Sequence, residues 1–196
     1  MSFMSNIIIV VLAYFIDKKF GEFSFIKNPM IMINDLVNFV EKKVYKDSVS
    51  AGVLFVVIVL GIMSFISLIL ALYLSYFNIY VYILLSSFIA SIFLSQNMLD
   101  EFSCKQEDVN NFKNYTQTLQ EHLIAPIFYL LLFGITGIIL YKTILVIDTV
   151  LKNQNKSLKN FSQAIKKVEK AVNFLPKKIT LYLVSSRCRK KLNVLN

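Results

Sequence analysis

Four ionisable residues border apolar stretches of this chain, and their types suit the handling of charged substrates. Asp17 and Glu22 follow an apolar N-terminal segment, and Lys142 and Asp148 lie near the end of another. Carboxylates at such positions can hold a cation, and a lysine can face a phosphate. Asp17 and Lys142 can equally be interfacial anchors without a chemical role, and the residues by themselves leave both readings open.

The composition places these residues in a membrane protein. Of the 196 residues 56% are hydrophobic, and the mean hydropathy is +0.61 although the net charge is +9. The charges must therefore lie outside the apolar runs. Cys104 and Cys188 are far apart and fit no metal or redox spacing. His122 is the only histidine, which excludes a histidine-based metal centre, and the sequence has no glycine-rich phosphate loop.

The apolar runs predict an all-α, polytopic integral membrane protein with three to four membrane segments and amphipathic surface helices. Residues 51–77 carry no charge and exceed the about 20 residues that a crossing helix needs. The predicted units are 1–50 (a short membrane segment plus an amphipathic helix), 51–95 (a transmembrane helical hairpin), 96–122 (an acidic loop), 123–150 (a kinked or re-entrant membrane segment) and 151–196 (a basic amphipathic helix and tail).

Two segments outside the strongest apolar runs have the apolar period of a surface helix. The first lies within residues 17–50. The second carries Leu158, Phe161, Ile165, Val168, Val172 and Leu175 among lysines, and we expect it to end at Pro176. A basic helix of this kind suits an anionic lipid surface or the protein's own membrane helices. Nucleic-acid binding is not expected, because no recognition motif accompanies the charge.

The distribution of positive charge conflicts with three full crossings. The positive-inside rule places both residues 17–50 and the basic tail in the cytoplasm, yet three crossings between them would put them on opposite sides. One segment must therefore fail to cross. Residues 123–147 are the best candidate, because Pro126, Gly134 and Gly137 can support a bent, re-entrant path.

A series of short motifs resembles the CobD/CbiB family, the adenosylcobinamide-phosphate synthases of cobalamin biosynthesis. The motifs are an apolar segment followed by Asp17, Gly21-Glu22 and Asn28-Pro29, then Ala125-Pro126, Gly134, Tyr141-Lys142 and Asp148-Thr149, and finally Asn173-Phe174-Leu175-Pro176. None of them is specific by itself. Together they keep the family's order and cover most of the chain.

The resemblance implies an ATP-dependent C–N ligase that joins aminopropanol, usually as its phosphate, to a carboxylate of adenosylcobyric acid. The implied catalytic residues are Lys142 and Asp148, the substrate-binding residues are Asp17, Glu22, Pro126, Tyr141 and Asn173, and the metal ligands are Asp148 and Glu121. Mg²⁺ and ATP would be the cofactors. The expected partners are a corrinoid substrate and an anionic lipid surface, with a homo- or hetero-oligomer left open. The expected location is a bacterial-type cytoplasmic (inner) membrane, with several passes.

Several family carboxylates are replaced in this chain. Ahead of Ala125-Pro126 the family's Glu-Asn and Asp-Gly pairs correspond to Gln117, Thr118, Glu121 and His122, and a paired Asp ahead of Asn173 survives as Glu169 followed by Lys170. These losses support a second hypothesis, a non-catalytic membrane protein derived from the family, such as an AmpE-like subunit or sensor without cofactors. A third is an unrelated small membrane protein with a cationic surface helix.

Overall fold

The computed structural model describes residues 3–20, 29–46, 48–94, 115–153 and 160–194, with side chains as far as residue 186, and these residues are nearly all helical. The α-helices are α1 (Phe3–Phe20), α2 (Pro29–Val44), α3 (Val49–Ser75), α4 (Ile79–Phe93), α5 (Ala125–Asn153) and α6 (Gln163–Val194). Residues 115–119 are also helical, and a π-helical turn, Gln120–Ile124, leads into α5. The all-α prediction is confirmed for the described residues. Most of the predicted acidic loop lies outside them.

By length and composition two helical stretches qualify as candidate membrane spans, Val49–Ser75 and Tyr115–Lys152, but the second is divided at Gly134, and α4 is a shorter apolar helix. Helix α3 begins at Ser48, whose side chain accepts a hydrogen bond from the Ala51 N–H at 3.2 Å. Many of its apolar side chains are exposed, as a lipid-facing helix requires. The predicted count of three to four membrane segments stays a prediction.

Helix α5 reverses direction at Gly134. This glycine has φ 64° and ψ −149°, a conformation outside the helical region that L-residues with a side chain rarely adopt. The rings of Tyr129 and Tyr141 stack with centroids 5.2 Å apart, whereas a straight helix would separate these positions by about 18 Å. Helix α5 is therefore a helical hairpin with a first arm, 125–133, and a second arm, 135–153.

The two arms of α5 touch closely just past the reversal. A Cβ atom on Gly137 would overlap the carbonyl oxygen of Tyr129, so only glycine permits this approach. The reversal also exposes backbone carbonyls at the end of the first arm. Asn6 of α1 satisfies one of them, because its Nδ2 donates to the Leu131 carbonyl at 3.0 Å. Helix α1 thus caps the turn of the hairpin.

The hairpin of α5 is the centre of the bundle. It contacts α1, α2, α3, α4 and α6, while α1 also packs on α4 and α3 packs on α2 and α6. Fully buried apolar side chains from several helices surround its arms, among them Ile9, Val37, Phe55, Leu130, Ile138 and Ile147. Any polar residue on the inner faces of these arms is consequently removed from solvent.

The structure of α6 differs from the sequence-based prediction in where the helix ends and in which residues are buried. It does not end at Pro176 but continues to Val194 with the proline inside it. The carbonyl that Pro176 cannot pair, that of Val172, accepts a hydrogen bond from the Tyr129 hydroxyl instead. Leu175 was expected on the buried stripe and is 54% exposed, whereas Thr180 and Val184 extend the buried face beyond the proline.

The two basic segments meet at one end of the bundle. The rings of Tyr45, just after α2, and Phe161, just before α6, lie 5.5 Å apart at 68°. A Cβ on Gly52 would overlap the Phe161 carbonyl, so the starts of α3 and α6 are also in close contact. The chain between α2 and α6, which contains the α3–α4 pair and the α5 hairpin, therefore ends close to where it begins.

Candidate functional site

A group of polar side chains is buried where the arms of α5 meet α1, α6 and the π-helical turn. Lys142 on the second arm is 1% exposed and Asp17 on α1 is 4% exposed, and Asp148 and Asn173 are also buried. Removing charged groups from water costs several kcal/mol for each ion unless partners compensate. Apolar packing does not compensate this cost, so it does not explain why these charged side chains are buried.

Lys142 is at the centre of this polar cluster. Its ammonium group interacts electrostatically with Glu121 from the π-helical turn and with Asp17 from α1, and it also acts on His122. Glu121 and Lys142 would be about 30 Å apart along one straight helix. The reversal at Gly134 therefore brings the cluster together.

Asp148 extends the cluster toward solvent. It forms a salt bridge with Lys152 one turn later, and the lysine side chain is half exposed. Glu169 on α6 faces the same group and interacts with Asp148, Lys152 and Glu121. Its own burial, followed by the negative charge of Asp148, raises the pKa of Glu169. With four carboxylates and two lysines, the cluster is acidic inside a basic protein, which suits a bound cation or ammonium group.

A chain of hydrogen bonds orients Glu169. The Tyr141 hydroxyl donates to Asn173 Oδ1 at 3.1 Å, and the Asn173 side chain also hydrogen-bonds the Glu169 carboxylate. Tyr141 is held in turn by stacking on Tyr129. Two residues expected to bind substrate, Tyr141 and Asn173, thus contact the cluster and position one of its carboxylates.

The π-helical turn contributes the remaining polar groups. Gln117 Nε2 donates to Glu121 Oε1 at 2.7 Å, and Gln120 is buried. His122 Nδ1 is buried and has no hydrogen-bond partner among the described residues. Such atoms mark places where a ligand or water completes the hydrogen bonding, and π-helical turns are frequent at functional sites. Pro126 is buried directly after the π-helical turn, at the second residue of α5.

Comparison with curated proteins points to one family. The chain is 25% identical over 223 residues to a probable cobalamin biosynthesis protein CobD of Methanococcus aeolicus, covering 90% of this chain and 70% of that protein. It is 25% identical over 216 residues to the protein of the same name from Methanococcus maripaludis, with the same coverage. The chain is a divergent relative of the CobD proteins.

A third CobD relative, from Thermococcus kodakarensis, is 28% identical over 95 residues, which cover 47% of this chain but only 31% of the relative. Neither a family model nor a solved structure matches the chain. The CobD relatives from Methanococcus confirm the resemblance inferred from the short motifs.

The motif residues of the CobD resemblance meet in space. Asp17, Glu121, Tyr141, Lys142, Asp148 and Asn173 all belong to the buried cluster or its hydrogen-bond chain. Pro126 starts the first arm and has no described contact with the charged groups, and Glu22 lies outside the described residues. Glu169 and His122 were not among the residues predicted to form the site. Glu169 could have been predicted from the sequence, because it occupies the position of an acidic residue ahead of Asn173 in the CobD/CbiB resemblance.

The predicted metal ligands, Asp148 and Glu121, do not form an ion cage. In the part of the chain that the structure describes, no three His, Cys, Asp or Glu side chains converge to hold a metal ion. A Mg²⁺ ion that arrives with a nucleotide needs only one or two carboxylates, because phosphates and water complete its shell. The described residues fit an ion carried by substrate and do not fit a resident ion held by protein ligands.

Proposed function

We propose that the chain is a membrane protein of cobalamin biosynthesis that joins aminopropanol phosphate to adenosylcobyric acid by ATP-dependent amide formation. The observation that carries the proposal is the convergence of Asp17, Glu121, Lys142 and Asp148 in one buried cluster. Such a cluster is costly to fold. Binding of charged substrates would compensate the cost of burying these charges, whereas apolar packing does not.

The reaction needs a carboxylate to be activated before an amine can attack it. ATP transfers a phosphoryl group to the corrinoid carboxylate, and the amine then displaces phosphate to form the amide. Such chemistry depends on positioning and on neutralising phosphate charge. Lys142 would face the phosphates. Asp148 and Glu121 would hold the Mg²⁺ that accompanies ATP and supplies further positive charge.

The acidic side of the cluster suits the amine substrate. The carboxylates of Asp17 on α1 and Glu169 on α6 would attract an ammonium group. Tyr141 and Asn173 keep the Glu169 carboxylate oriented. His122 Nδ1 can accept a hydrogen bond from a substrate N–H or O–H. These residues would hold the amine while Lys142 faces the phosphates.

The fold supports a multi-pass location in the cytoplasmic membrane. In this proposal α3 and α4 would cross as a pair, and the α5 hairpin would enter and leave on the side of the basic segments. This arrangement satisfies the positive-inside rule without a third crossing. The non-helical backbone at Gly134 is tolerated within a bilayer because Asn6 and neighbouring helices cover it. The half-exposed Lys152 at the border of the cluster would then face the cytoplasm, where ATP is available.

The deciding experiment uses purified protein in detergent with Mg-ATP, adenosylcobyric acid and aminopropanol phosphate, and detects the corrinoid product by mass. We expect adenosylcobinamide phosphate from the native chain and its loss in Asp148→Asn. Asp35→Asn is the matched control, because Asp35 is an exposed carboxylate on α2. Absence of product, while a CobD relative is active under the same conditions, contradicts the proposed reaction.

A further inference from the structure

Two helices outside the long apolar segments expose the same pair of residues. On α2, Phe39 is 59% exposed and Lys43 Nζ lies 4.3 Å from its ring centroid. On α6, Phe174 is 57% exposed and Lys178 Nζ lies 4.4 Å from its ring centroid. In each pair the lysine follows the phenylalanine by one helical turn, so ring and ammonium group form one surface unit. We call these units the two Phe–Lys pairs.

The surroundings of both Phe–Lys pairs are apolar and basic. Large apolar side chains are also exposed on the same two helices: Ile31 and Met32 on α2, and Leu175, Leu181, Tyr182 and Leu183 on α6. Exposed lysines are Lys42 and Lys46 near the first pair and Lys167, Lys170 and Lys177 near the second. The exposed carboxylate on α2 is Asp35, one turn before Phe39. Lysines therefore dominate the charge around exposed apolar groups on both helices.

Exposed apolar side chains among lysines are unfavourable in water, because each exposed ring and aliphatic chain costs hydration free energy. The headgroup region of a bilayer suits such side chains better. Aromatic rings settle at the boundary with the acyl chains, and lysine ammonium groups reach the phosphates above them. Positive charge further selects leaflets that contain anionic lipid.

The two Phe–Lys pairs belong to helices that are joined at one end of the bundle. Tyr45 follows α2 and Phe161 precedes α6, and their rings are in contact. The opposite faces of both helices are already occupied, since Val37 and Ile165 are fully buried against the rest of the protein. The outward faces of both helices are thus left uncovered by the rest of the described protein.

We propose that the outer faces of α2 and α6 form one binding surface for the headgroups of anionic phospholipids. Phe39 and Phe174 insert at the level of the upper acyl chains, and Lys43 and Lys178 bind lipid phosphates. The surface fixes how deeply the bundle sits in its leaflet. It is separate from the buried cluster, and its occupation does not depend on the proposed reaction.

The chain contains no tryptophan, so a single introduced tryptophan is an unambiguous reporter. The variants Phe39→Trp and Phe174→Trp are reconstituted in bilayers that contain either brominated phosphatidylglycerol or brominated phosphatidylcholine at the same mole fraction. Bromine quenches tryptophan that touches the labelled acyl chain. We expect quenching at both positions, and about twofold stronger quenching by the anionic lipid.

Two further tryptophan positions calibrate the experiment. Phe65→Trp places the reporter on an exposed site of α3, where both brominated lipids should quench equally. Phe55→Trp places it at a fully buried site, where neither should quench. Tyr182→Trp replaces Phe174→Trp if the latter does not fold, because Tyr182 is a more exposed position on the same helix.

The lysines are tested in the same reporter proteins. Lys43→Glu and Lys178→Glu should remove the preference for anionic lipid, whereas Lys43→Arg and Lys178→Arg should keep it. Equal quenching by both lipids in the unaltered background would overturn the charge recognition. Water-like emission without quenching would overturn the surface itself and would assign these faces to solvent or to a protein partner. Neither readout requires amide formation, so this inference and the proposed reaction fail separately.

Discussion

The hydroxyl of Tyr129 donates a 2.7 Å hydrogen bond to the backbone carbonyl of Val172. That carbonyl would normally accept from the residue four positions later, which is Pro176 and has no N–H. The first arm of the α5 hairpin thus supplies the donor that α6 lacks. The second arm also binds α6, because the Tyr141 hydroxyl donates to the side chain of Asn173, the residue after Val172. Helix α6 is therefore fixed to both arms one turn after Glu169.

Tyr129→Phe should destabilise the protein, since it leaves the Val172 carbonyl without a donor while keeping the ring. The expected loss is about 1–3 kcal/mol in the free energy of unfolding, measured by thermal unfolding in detergent. Tyr182→Phe is the control, because that tyrosine is exposed. Adding Pro176→Ala restores an N–H near Val172, so the double variant should lose less stability than Tyr129→Phe. An equal loss would contradict the account of α6.

Gly137→Ala should disrupt the hairpin, because the new methyl group would overlap the Tyr129 carbonyl. Overpacking of this kind costs about 1–3 kcal/mol or more. Gly61→Ala is a matched test in α3, where nothing lies within 4 Å of the added atom. There alanine should be neutral or stabilise by up to about 1 kcal/mol through helix propensity. Unfolding temperatures that shift equally in both variants would argue against the close approach of the arms.

Lys142→Met should reduce formation of the corrinoid product by about 100-fold or more, as expected for loss of a charge that faces reacting groups. Lys152→Met should have a smaller effect, because the Lys152 side chain is half exposed and solvent already screens its charge. Product is quantified by mass under saturating Mg-ATP. Equal activities of the two variants would remove Lys142 from the proposed role.

Glu169→Gln should stabilise the protein at neutral pH more than at acidic pH. Burial and the charge of Asp148 raise the pKa of Glu169 in the folded state, so folding favours its protonated form. The stability of the native chain therefore falls as pH rises from the unfolded pKa through the folded pKa. Glutamine removes this dependence. Unfolding temperatures of both proteins across this pH window provide the measurement, and parallel curves would show that Glu169 does not titrate differently on folding.

Single cysteines introduced in a Cys104→Ser, Cys188→Ser background should report the topology. Ser50 and Asn160 are expected to react with an impermeant thiol reagent from the same side, and Asn78, in the turn between α3 and α4, from the other. All three positions are exposed. Labelling of Ser50 and Asn160 from opposite sides would show that α5 crosses the membrane, contrary to the hairpin.

The sequence was sufficient for several features of this protein. Uncharged runs such as 51–77 indicate membrane helices, because length and hydropathy are local properties. Gly134 and Gly137 indicated an interruption within an apolar segment, because glycine is seldom retained in a helix without a reason. The order of motifs around Asp17, Lys142 and Asn173 was enough to indicate the CobD relatives.

Other features depended on contacts between residues distant in the chain. The tertiary structure decided that α6 continues past Pro176, because the donor for the Val172 carbonyl comes from Tyr129, 43 positions before Val172. The tertiary structure also decided that Glu121, Lys142 and Glu169 share one cluster. The reversal at Gly134 packs the two arms of α5 side by side and so brings Glu121 close to Lys142. Local sequence encodes which residues can turn or be buried. The packing of the whole bundle determines which of them meet.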